Sequence, residues 1–191
     1  MMDWLAQQSW SVVAALAPAA MVFAVVTLAT KRTSALAALR RAGNESALNL
    51  SLVVINSVVL ASLLTLLTDG MKTHLGLFPS LGDFWLGLPE LPLLVLALLI
   101  DEGTVYWRHR AEHSALLWPI HATHHSDETV TWLTLLRKHP LSHFFGNVVD
   151  SIPLILLGFP AWAVVGSTLI RTWWGYFIHA DLPWTFGPVG K

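Results

Sequence analysis

The 191-residue sequence contains no cysteine, which excludes disulfides, thiolate zinc sites, iron–sulfur clusters carried on this chain and a thiolate-ligated haem. A metal here must rest on nitrogen and oxygen ligands, and electrons for any redox reaction must come from a partner. Charge is also scarce, at 12% of residues with a net value of -1, and no basic stripe with interleaved aromatics occurs, so nucleic acid is not an expected partner. The chain has no HExxH, GxSxG, GxGxxG or P-loop, and no glutamate is followed three residues later by histidine, which removes the ferritin-like di-iron pattern. There is no internal repeat and no low-complexity segment, so the whole of 1–191 reads as a single membrane domain.

Apolar residues dominate what is present. They make up 54% of the chain, with a mean hydropathy of +0.59, and this composition predicts an all-α, polytopic membrane helical bundle. Residues 10–30, 48–68 and 89–107 are each about the 20 residues needed to cross a hydrocarbon core. The first run follows MMDWLAQQS, which carries Asp3 and no Lys or Arg, so it reads as an anchor in preference to a cleaved signal. Arg40, Arg41 and the breaker pair Gly43-Asn44 mark a linker before the second run, and 69–90 reads as an external loop. Residues 148–178 are too long for one straight crossing and are interrupted by Pro153, Gly158 and Pro160, which predicts a membrane hairpin of two helical segments. All Lys and Arg except Lys72 then fall on one face. The positive-inside rule makes that face cytoplasmic and places the chain in the cytoplasmic (inner) membrane, with 108–147 as a cytoplasmic histidine-rich segment. Most of the ten tryptophans read as anchors at the two interfaces.

Seven of the nine histidines lie between Asp101 and Asn147. His109 and His113 form an HxxxH pair, and His121, His124 and His125 an HxxHH set. Spacings of three and four stack side chains on one helical face, so two adjacent helices would bring five imidazoles to one point. Neutral imidazoles gathered in this way are expected to hold iron, zinc or copper. His179 returns to the same level at the end of the hairpin. His139 precedes Pro140 at an expected helix start, with His143 one turn on, and both are secondary metal candidates. Asp101 lies roughly 80° around the helix from His109 and is a candidate either to accept a ligand histidine's N–H or to pair with Arg108 or Arg110. His74 lies in the loop and is expected to be unrelated.

The run D-x4-YW-x-HR-x2-H-x4-LW-x2-H-x2-HHS, followed by T-x2-R-x-HP and FIHADLPW, resembles the fatty acid hydroxylase superfamily, also called the sterol desaturase family, over about residues 90–191. The resemblance implies a membrane-bound non-haem centre of two irons, with zinc as an alternative metal. It further implies O2 as co-substrate, a lipid substrate to be hydroxylated or desaturated, and an external electron donor of ferredoxin or cytochrome b5 type with its reductase. His109, His113, His121, His124 and His125 would be metal ligands, and His179 a further one. Members carry another HxxHH box beyond the FxHA element, and the sequence ends at Lys191 ahead of it. Two alternatives therefore stand beside the oxygenase: a non-catalytic membrane metal-binding protein, which includes an inactive truncated member, and a membrane haem protein with paired axial histidines.

Overall fold

A computed structural model of the chain describes residues 2–74, 79–182 and 187, and every regular element among them is helical. Helix α1 spans Met2–Lys31, and a 3-10 turn over Arg32–Ser34 leads to α2, Ala35–Arg41. Helix α3 spans Gly43–His74, α4 Pro79–Leu86 and α5 Glu90–Glu112. A short α6, Trp118–His121, and 3-10 turns at His124–Ser126 and Trp132–Leu136 follow, before α7, Pro140–Leu156, and α8, Ala161–His179.

The elements begin and end where local chemistry requires. Gly43 does not break the chain: it opens α3, where a helix start tolerates a residue without a side chain. The region read as an external loop contains the short helix α4, while 75–78 and the side chain of His74 lie outside the described residues, as do 183–186 and Lys191. Pro153 sits inside α7 without ending it. The turn comes five residues later, where Gly158 has a φ of 68°. There the Gly158 N–H donates to the Ile155 carbonyl and the Phe159 N–H to that of Leu154, both at 3.0 Å. This is a Schellman closure, with Phe159 packed on Leu154. Pro160 then caps α8, so 148–178 is a hairpin of two helices.

Two apolar clusters hold the elements together. Leu93 and Ala97 of α5 meet Leu154, Phe159 and Ala163 of the hairpin, and Gly166 lets α8 approach α5 so closely that a Cβ there would lie 2.9 Å from Leu94 Cδ1. On the other side, Ala19 and Phe23 of α1 pack on Tyr176 of α8, with Phe23 stacked on Trp132 at 5.7 Å between ring centroids.

The distribution of polarity is inverted relative to a water-soluble bundle. Val25, Leu28, Leu66, Leu91 and Leu99 are exposed, while Asn49, Asn56, Asp101, Arg108, Glu112 and Arg137 are buried. Apolar outer faces around a hydrogen-bonded polar interior suit a lipid surround. By length and composition, one helical stretch among the described residues, Val12–Arg41, is apolar enough to cross a membrane.

Candidate metal centre

The first histidine box closes α5. Glu90 in the first turn and Arg110 in the last complement the helix dipole. His113 is the C-cap, its N–H bonded to the His109 carbonyl at 3.2 Å. One turn apart, the two imidazoles stack with centroids 5.0 Å apart. The second box does not ride on a matching long helix. Trp118-Pro119 starts the single turn α6, which delivers a buried His121, and the 3-10 turn that follows carries His124 and His125. The tighter winding of that turn swings His125 back, so that its Nε2 stands 3.1 Å from Nε2 of His121.

One nitrogen from each of His109, His113, His121 and His125 lies within 4.8 Å of the others. With metal–nitrogen bonds of ~2.1 Å, two ligands at right angles stand about 3.0 Å apart, so the His121–His125 separation is that of two imidazoles sharing an ion. His124 joins this group at 5.1 Å from His125 and 5.3 Å from His179, centroid to centroid. The sequence-predicted set of six is therefore one contiguous cluster.

Hydrogen bonding leaves this cluster free for a cation. His121 Nδ1 lies 3.4 Å from Glu112 Oε2, and His179 Nδ1 donates to the Gly175 carbonyl at 2.7 Å. In both rings that engages Nδ1 and turns the Nε2 lone pair toward the cluster. His109 Nε2 and His124 Nδ1 are buried with no hydrogen-bond partner. Buried nitrogens are rarely left unpaired, and a metal would satisfy both. Electrostatics agree. Burial, reinforced by the neighbouring imidazoles and by the Arg108 guanidinium, lowers His109 and His121 to about 4. Burial and His179 lower His124 to about 3, and His125 is lowered for the same reason. At neutral pH these rings carry lone pairs in place of protons, the state that binds metal.

A cavity of about 550 Å³ opens beside the cluster, lined by His109, His113 and His179, by Val105, Leu135, Trp174 and Ile178, and by charged side chains that include Arg108, Glu112, Lys138 and Arg171. It is large enough for part of an amphiphile.

The fatty acid hydroxylase family profile matches residues 94–191, more than half of the chain. This chain belongs to the fatty acid hydroxylase family. The family is one of membrane-associated, generally non-haem iron oxygenases acting on lipids. A Dictyostelium discoideum protein that bears the name methylsterol monooxygenase is 32% identical over 109 residues, which cover 52% of this chain and 40% of that protein. The matched region thus spans about two fifths of its curated relative. No solved structure matches.

Within this fatty acid hydroxylase fold, several residues that support the cluster carry no histidine-like signal. Asp101 does not reach a histidine: its Oδ2 accepts from Arg171 Nε at 3.2 Å. The carboxylate beside the cluster is Glu112, fully buried, which accepts from Arg108 Nη1 at 2.5 Å and from the Ser142 hydroxyl at 2.9 Å. Arg108 in turn forks onto Asp150 at 2.6 and 3.1 Å, its guanidinium lying flat against Gly146. Arg137 clamps the second box. It donates to the Thr123 carbonyl at 3.1 Å, to the Ser126 carbonyl and hydroxyl, and across to Glu45 and Asn49 of α3. The run T-x2-R-x-HP thereby acquires a physical reading: Thr134 closes a capping box with Thr131, Arg137 ties down the histidine turn, and His139-Pro140 starts α7. His139 Nδ1 accepts from the Leu141 N–H at 3.2 Å as that helix's cap. His143 lines a separate polar cavity with Asp101 and Asp150. Neither is among the clustered rings. Glu112 was legible only as one of several acids, because its partner Ser142 is thirty positions away.

Proposed function

We propose that this chain is the histidine-rich core of a membrane-bound di-iron oxygenase that uses O2 to hydroxylate or desaturate a lipid. The observation that carries the reading is the convergence of His109, His113, His121 and His125 on one point beside a cavity lined by both apolar and charged side chains. Iron bound there would supply O2 activation and hydrogen abstraction from an unactivated C–H bond. His109, His113, His121 and His125 would hold one ion, with His124 and His179 directed to a second.

The chain's own contribution is placement. Glu112 holds His121 with Nε2 inward, the Gly175 carbonyl does the same for His179, and Arg137 keeps the His124-His125 turn against α3. Val105, Trp174 and Ile178 would guide an acyl or ring system toward the cluster and exclude water around it. Helices α1, α3 and α5 are read as three crossings and α7–α8 as a hairpin that returns to the cytoplasmic side. The cluster then lies at the inner interface, where a soluble electron donor can reach it and a lipid can enter from the bilayer.

The test is metal analysis of the purified protein combined with product formation from lipid substrates under O2 and a reducing system. Bound iron near two per chain with O2-dependent product supports the reading. Iron or zinc without product leaves a metal-binding protein, and a Soret absorption band would replace the reading with haem.

A further inference from the structure

A second cavity, of about 290 Å³, lies away from the histidines, between α1, α2, the start of α3 and the segment 129–133. Its lining combines apolar Phe23, Ala24 and Trp132 with Lys31, Arg41, Ser46 and Asp181. The two cations are not equivalent. Lys31 is ion-paired with Asp181, whereas Arg41 has neither a hydrogen bond nor an ion pair with any described residue. Asp181 neutralises Lys31, so Arg41 leaves the lining with one unpaired positive charge.

An apolar lining beside an unpaired guanidinium at the end of a membrane-length apolar stretch fits one class of ligand. We propose that this cavity binds an anionic phospholipid, with its phosphate on Arg41 and the first part of one acyl chain on Phe23, Ala24 and Trp132. Basic pockets between helices at a cytoplasmic interface select such headgroups, and each cation near the surface adds attraction that a zwitterionic lipid does not return. The volume is at the lower edge of ligand pockets, so the remaining chain runs along the exposed outer face of α1, where Val25 and Leu28 already face outward. The bound lipid bridges α1 to 129–133, a segment flanked by Asp127 and Thr134, which are joined by a 2.6 Å hydrogen bond. Through them it braces the turn that carries the second histidine box. This inference requires α1 in a bilayer and is independent of the metal and of the reaction.

The full chain is reconstituted in nanodiscs of phosphatidylcholine with and without phosphatidylglycerol, and its thermal midpoint and the lipid retained in native mass spectrometry are measured. Phosphatidylglycerol is expected to raise the midpoint by several degrees and to be retained preferentially. Arg41→Gln, at an exposed position, should abolish the difference between the two lipids. Ala24→Phe, which adds bulk to the apolar lining and leaves every charge in place, should reduce retention at least tenfold. The proposal is overturned if both variants keep the wild-type preference, or if inorganic phosphate in plain phosphatidylcholine discs gives the same rise, which would mark a free-anion site with no use for the chain.

Discussion

His109, His121 and His124 remain neutral well below the pH at which a free imidazole protonates, since each is buried among other imidazoles. The unfolded chain, with ordinary histidines near 6.5, therefore binds more protons than the native one between about pH 6.5 and 4. Linkage then requires that stability be full above that window and fall as pH drops through it. Metal-free protein followed by thermal melts should lose midpoint steadily from pH 7 to pH 4.5, and a flat profile would contradict the buried cluster. His121→Ala and His109→Ala should each lower bound iron measured by mass spectrometry, and should flatten the acid limb of the melt profile because one proton acceptor has gone. Glu112→Ala leaves all six imidazoles in place but frees the His121 ring. Loss of a partner of this kind costs roughly 10- to 100-fold in metal affinity, which competitive chelator titration can read.

At the scale of elements, the second histidine box is a turn held by a long-range clamp, where the first is a helix end that organises itself. Arg137 and Glu45 are both largely buried, with side-chain exposures of 6% and 20%. Removing one partner of such a pair costs about 3–5 kcal/mol because the other stays desolvated. Arg137→Ala should lower the thermal midpoint accordingly and accelerate amide hydrogen exchange over 122–130 more than in α5. Close packing sets a second limit. A Cβ on Gly175 would stand 2.7 Å from Leu135 Cδ2, so Gly175→Ala should destabilise by about 1–3 kcal/mol through overpacking. It should also disturb His179, whose Nδ1 bonds to the carbonyl of that same residue.

For the molecule as a whole, the proposed topology puts a bilayer around α1, α3 and α5 with the cluster at its inner edge. The absence of cysteine makes this simple to examine, since every introduced thiol is unique. Leu116, in the turn between the two boxes, is 86% exposed, and Leu86, at the end of α4, is 67% exposed. In right-side-out vesicles an impermeant maleimide should label Leu86→Cys and spare Leu116→Cys until the membrane is opened. Labelling of both from the same side would refute the orientation. The interior carries Arg108, Arg171, Asp101, Asp150 and Glu112 as a linked set of ion pairs. Two guanidinium groups thus face three carboxylates, and pairing of this kind is what allows a polar centre to sit inside an apolar shell.

Periodicity and punctuation were enough to read the hairpin turn and the long apolar helices, though not α2 or α4, because Gly158 and Pro160 act through local backbone geometry that neighbours in sequence decide. The same locality made the histidine boxes legible, since offsets of three and four translate directly into proximity. Residue order alone placed His179 with the other histidines but left open whether His139 joins them or only caps the helix it precedes. Nor did it show that Glu112, not Asp101, is the acid beside the histidine cluster, or that Arg137 holds the second box. Those outcomes depend on which faces of α3, α5, α7 and α8 meet, and a contact between residues far apart in the chain exists only once the bundle has packed.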